Sequence, residues 1–121
     1  MNQDNTWKQT ISFYEDLLAE GWDIKPQLEL VKELAKTDSA KSFYPSISHS
    51  ILCLSAQESY EEGQMLPMIS IDYRGDLIFK IQFWKRPART HDVITYEVNS
   101  TEVRSILEAL FLRYKNTENQ E

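Results

Sequence analysis

The clearest pattern in the chain lies in residues 68–84, which read MISIDYRGDLIFKIQFW. Apolar and polar side chains alternate on both sides of residues 74–76, and this period of two predicts two strands joined as a hairpin. The two apolar sets share one face of a sheet only if odd positions pair with odd positions. We therefore expect a three-residue loop that places Tyr73 opposite Leu77.

Two further stretches are predicted to be strands of the same sheet. Residues 46–55 alternate as one strand, in which His49 and Cys53 would share a face. Residues 93–98 also alternate, with Ile94 and Tyr96 on one side. Together with the hairpin, these stretches predict a mainly antiparallel sheet of four strands.

Helical periodicity flanks the strands. Residues 6–20 carry apolar side chains at helical spacing, and Gly21 stands where a helix commonly ends with a positive φ. A second helix is expected from Pro26, which suits a first turn. Asn99, with Glu102 three residues later, predicts the start of the last helix.

The predicted fold class is α+β, with the order α-α-β-β-β-β-α. A helical hairpin precedes the four-stranded sheet, and a C-terminal helix follows it. We expect one domain over 1–121, with frayed ends at 1–5 and 116–121. The last helix, with the first pair, is expected to cover the sheet face that carries Ile69 and Phe79.

Composition narrows the class of protein. The 121 residues are 41% hydrophobic with a net charge of -6, which excludes a disordered chain and argues against a general nucleic-acid binder. Cys53 is the only cysteine, and no apolar run reaches the roughly 20 residues that a membrane helix needs. A cytoplasmic location is therefore expected.

Residues 1–64 carry 5 Lys or Arg and 11 Asp or Glu, whereas residues 65–121 carry eight of each. The acidic excess thus lies on the helical hairpin and the loop after it.

Motifs for catalysis, metals or cofactors are weak, so we predict no catalytic residue, no metal site and no cofactor. On one strand, His49 and Cys53 would lie about 13 Å apart, too far for a nucleophile and its base. Glu58, Glu61 and Glu62 are interpreted as a solvated acidic loop, and no glycine-rich phosphate loop is present.

The outer face of the sheet and one loop are the candidate contact surfaces. Trp84, Lys80 and Asp72 share the outer face with several apolar residues, which is typical of a partner interface; a helix of the same chain covering that face is the alternative. The basic loop at 85–89 has three cations and fits a solvated loop, a protein contact or a nucleic-acid contact. Its charged residues are Lys85, Arg86 and Arg89.

The preferred hypothesis is a small, soluble, non-enzymatic protein-binding module with a basic protein as its partner, as an immunity protein, an antitoxin or a chaperone would be. Acidic helix residues would steer that partner, and a homodimer through the outer sheet face is a further alternative. A small-molecule-binding protein or enzyme, with a pocket between helices and sheet near His49, Tyr60 or His91, is the rival class, and a weak nucleic-acid binder is the third. The predicted steering residues are Glu15, Asp16, Glu20, Glu29 and Glu33.

Overall fold

A computed structural model describes residues 3–38, 42–55, 68–84 and 93–118. Its element order is α-α-β-β-β-β-β-α, so the α+β class with an antiparallel sheet is confirmed. The elements in chain order are α1 (Gln3–Ala19), α2 (Lys25–Leu34), β1 (Tyr44–Ser48), β2 (Ile51–Ser55), β3 (Met68–Gly75), β4 (Ile78–Trp84), β5 (Val93–Asn99) and α3 (Val103–Glu118). None of these helices is long and apolar enough to cross a lipid bilayer.

The sheet is an antiparallel meander in the order β1-β2-β3-β4-β5, so the prediction of four strands was wrong by one. Residues 46–55 are not a single strand, because the chain reverses at His49 and Ser50 and Ile47 pairs with Leu52. His49 has φ 61, a conformation that His adopts more readily than most residues with a β-carbon. No Gly or Pro marks this turn, and apolar and polar residues keep alternating across it, so the sequence pattern predicts one strand where the structure has two.

The β3–β4 hairpin confirms the pairing of odd with odd positions but not the predicted loop. Tyr73 pairs with Phe79 rather than with Leu77, and the turn consists of Asp76 and Leu77 alone. Both turn residues have positive φ, 53 and 64, as a tight hairpin turn of this hand requires. A bulge between Tyr73 and Gly75 adds one residue and restores the facing of the apolar side chains.

The helix ends follow local backbone chemistry. Gly21 has φ 97, and the amide of Trp22 donates to the Leu17 carbonyl at 3.1 Å, which closes the C-terminus of α1 as predicted. The predicted start of α3 at Asn99 precedes the observed one. Asn99 Oδ1 accepts a hydrogen bond from the Glu102 amide at 3.2 Å and caps a turn, after which the helix begins at Val103.

All three helices lie on one face of the sheet. Their buried apolar side chains form a single core with the inward side chains of β2, β3 and β4. Tyr14 of α1, Leu34 of α2 and Leu107 of α3 are fully buried in this core. The alternative in which α1 or α2 covers the outer sheet face is therefore wrong, because both helices put their apolar stripes into the inner core.

One buried polar side chain ties the helices to the sheet. Gln27 of α2 is fully buried, and its Nε2 donates to the Ile71 carbonyl of β3 at 3.0 Å and to the Tyr14 hydroxyl at 3.3 Å. Tyr14 in turn donates to the Ser50 carbonyl at 2.8 Å. Burial raises the pKa of Tyr14 to about 12, while the Gln27 hydrogen bond lowers it. This network sets the position of α1 and α2 over the sheet.

Candidate functional site

The five predicted steering carboxylates are all exposed, four of them on α1 and α2 and Glu20 in the turn directly after α1, but they differ in their partners. Glu15 lies 3.8 Å from Lys32, which links the two helices, and Glu33 lies 2.9 Å from Arg104 of α3. In the described part of the chain, no cation lies within ion-pair distance of Asp16, Glu20 or Glu29.

Two of the unpaired carboxylates share a stripe with an exposed aromatic ring, which runs along α1 into the turn after it. Phe13 is 36% exposed and lines a shallow depression with Lys8 and Asp16. Asp16 lies three residues after Phe13, and Glu20 four residues after Asp16, so the three side chains follow one another along the helix surface. An apolar ring bordered by charge is the composition of a protein-binding patch.

The outer sheet face is arranged in cross-strand rows. Lys80 stands between Asp72 and Glu97, while Trp84 stands between Met68 and Val93. The structure thus places the predicted set of Trp84, Lys80 and Asp72 on one face, as the parity of the strands required. Their role in binding stays a prediction.

Two of these side chains are engaged within the chain. Asp72 accepts from Arg74 at 3.0 Å, so its carboxylate is partly neutralised. The Trp84 indole N–H donates to the Ser70 hydroxyl at 3.1 Å, which holds the ring against β3. Lys80 is half-buried between its two acidic neighbours. These contacts within the chain hold the side chains of Asp72 and Trp84 in place on the outer face.

Cys53 occupies the β2 part of the same outer face, opposite Ser46 and Ser70. It is a free thiol, only 5% exposed, and burial raises its pKa to about 11. A thiol of this kind stays protonated at neutral pH, whereas nucleophilic attack needs a thiolate. This agrees with the interpretation of Cys53 as a buried structural residue.

Of the residues on which the rival hypotheses rest, the structure describes only His49. His49 is exposed in the β1–β2 turn, so the prediction that it shares a strand face with Cys53 was wrong. Tyr60, His91, the acidic loop and the basic loop with Lys85, Arg86 and Arg89 all lie outside the described residues. Within the described ranges, no group of three His, Cys, Asp or Glu is placed to hold a metal ion.

The sequence did not predict a groove that lies beside the β3–β4 turn. It lies between α2, the β3–β4 turn and the start of α3, and has a volume of about 240 Å³. Glu29 and Glu33 line it together with Arg104 and with Leu77, which is 53% exposed. The spacing of Glu29 and Glu33 showed a shared helix face, but only the tertiary structure brings the hairpin turn to that face.

Comparison with known proteins adds no relative: no protein-family model matches the chain, and neither a curated protein nor a solved structure does.

Proposed function

We propose that this chain is a small protein-binding module that recognises a basic surface of another protein, without an enzymatic role. The observation that carries the proposal is the stripe of Phe13, Asp16 and Glu20 along α1 and the turn after it, where an exposed aromatic ring borders two carboxylates that have no cation partner in the described part of the chain. Such a ring can supply apolar contact area, while the carboxylates attract and orient the partner.

The distribution of charge supports the same class of partner. The whole excess of acidic residues lies within residues 1–64, and the exposed surface of α1 and α2 belongs to that part. A negative surface of this kind increases the rate of encounter with a basic protein, and salt screens the effect. Immunity proteins, antitoxins and chaperones are the kinds of module that work in this way.

The outer sheet face is the second contact surface in this proposal, through Trp84, Lys80 and Asp72. What supports it is that the helices pack on the opposite side, which leaves a half-buried Trp and a charged row facing away from the core. A second copy of the chain is the alternative occupant of this face. We place the activity in the cytoplasm, since the only cysteine is a free thiol.

The test is a comparison of immobilised variants of the full chain. Wild type, Asp16→Lys with Glu20→Lys, and Phe13→Ser are each used to capture proteins from an extract of the source cells, followed by quantitative mass spectrometry. We expect a basic protein to bind the wild type and to be lost from both α1 variants. Its association rate with the wild type should fall roughly tenfold between low and physiological salt.

A matched control carries the same change of charge elsewhere. Asp38→Lys with Glu102→Lys alters net charge equally, but both positions are exposed and belong neither to α1 nor to the outer sheet face. This control should retain the partner. Equal capture by the wild type and by both α1 variants would refute the α1 surface, and Trp84→Ala tests the sheet face in the same assay.

A further inference from the structure

The groove beside the β3–β4 turn combines an apolar floor with a charged rim. Leu30, Phe79 and Val103 form its floor and are nearly fully buried. Glu29 and Glu33 lie one helical turn apart on α2 and line its side. Leu77, at the tip of the hairpin turn, forms an apolar lip at its edge. A long side chain with an apolar stem and a polar end matches this arrangement.

The charges of the groove do not balance. Among the described residues that line the groove, Arg104 is the one cation, and it lies 2.9 Å from Glu33 and 3.8 Å from Glu108. Its guanidinium is thus shared between two carboxylates, one of which lies outside the groove. Glu29 has no cation within ion-pair distance among the described residues. A cation from outside the chain could therefore pair with the Glu29 carboxylate.

We propose that this groove takes a lysine or arginine side chain from a segment of the basic partner protein. The stem would lie against Leu77 and Phe79, and the charged end would pair with Glu29 and compete with Arg104 for Glu33. The volume of about 240 Å³ is below the range of about 300–1,000 Å³ usual for whole small-molecule ligands, which favours a single side chain. The inference rests on the proposed function, because it names how that partner is held.

The probe is a short peptide, acetyl-Ala-Ala-Lys-Ala-Ala-amide, titrated to millimolar concentration into the isotope-labelled full chain and followed by nuclear magnetic resonance. Its norleucine counterpart has a similar stem and no charge. We expect the lysine peptide to shift the backbone amides of Leu77, Phe79 and Val103 with saturation. The norleucine peptide should bind roughly fivefold more weakly, as loss of one partly exposed ion pair implies.

Two variants separate binding from folding. Glu29→Gln keeps the shape of the side chain and should weaken the lysine peptide roughly fivefold, with little effect on the norleucine peptide. Leu77→Asn removes the apolar lip, and Asn tolerates the positive φ of 64 at this position, so the chain should fold and still lose affinity for both peptides. Asp38→Asn, at an exposed position that does not line the groove, is the control and should leave the groove shifts unchanged.

The groove proposal is overturned if the three groove amides do not move, if both peptides bind equally, or if Glu29→Gln binds the lysine peptide as the wild type does. None of these results depends on the α1 surface. If the α1 variants lose the partner and the lysine peptide does not shift the groove amides, the groove proposal alone is refuted. If the lysine peptide shifts the groove amides with saturation and the α1 variants capture as much partner as the wild type, the α1 surface is refuted instead.

Discussion

Raising the pH should destabilise this protein through Cys53, and the size of the effect follows from its burial. The folded pKa of the thiol rises from its ordinary value of 9.0 to about 11, because the thiolate would be desolvated. Above pH 9 the unfolded chain releases this proton while the folded chain retains it, so the stability that the protonated thiol confers below pH 9 is lost as pH rises. The loss is about 1.4 kcal/mol at pH 10 and approaches about 2.7 kcal/mol above pH 11.

The assay is urea unfolding of the wild type and of Cys53→Ala at several values between pH 7 and pH 10. The variant has no titrating group at this position, so the free energy of unfolding should fall more steeply with pH for the wild type, by about 1.4 kcal/mol at pH 10. Tyr14 has its pKa raised to about 12 and loses stability in the same direction, but chiefly above pH 10. Because the charge of Cys53 is one cause of this raised pKa, the two proteins are compared only up to pH 10, where the folded thiol is still mostly protonated. Parallel pH profiles would show that the thiol is accessible to water, and would refute the burial of this part of the outer face.

Two further substitutions test particular features of the fold. Gln27→Met should lower the free energy of unfolding by about 1–3 kcal/mol, because the Ile71 carbonyl and the Tyr14 hydroxyl lose a donor while they stay buried, and removal of the unpartnered Gln27 Oε1 atom offsets only part of this; an unchanged free energy in urea unfolding would contradict this. Gly21→Ala should cost about 1 kcal/mol by thermal or urea unfolding, because φ is 97 and a β-carbon would meet no other atom within 4 Å, so that backbone strain alone acts. An unchanged stability would show that α1 ends differently.

Local sequence patterns predicted those elements that carry their own signals. The β3–β4 hairpin alternates strictly, and the end of α1 has its glycine, so both were identified from a few neighbouring residues. The β1–β2 turn was missed because its reversal at His49 has no Gly, Pro or Asn to mark it. The loop of the hairpin was misjudged because a bulge can preserve the facing of side chains at a different loop length.

The candidate surfaces divide in the same way. The exposure of Glu15, Asp16 and Glu20 follows from helical periodicity, and the shared face of Trp84 and Lys80 follows from strand parity, so both could be predicted. Which carboxylates have partners could not, because the Glu33–Arg104 pair joins residues 71 positions apart. Helical spacing alone also does not tell which of Leu17 and Leu18 faces the core: Leu18 is exposed, and Leu17 packs on the core.

The sequence by itself determined the α+β class, the acidic first half and the side chains that share each strand face, because periodicity and charge are local properties of the chain. Only the tertiary structure decided that all three helices lie on one side of the sheet and that Gln27 is a buried link rather than a surface residue. It alone brought Leu77 to the side of Glu29 and Glu33. These features depend on which faces pack together, and packing is selected by the burial of the whole apolar surface at once rather than by any single segment.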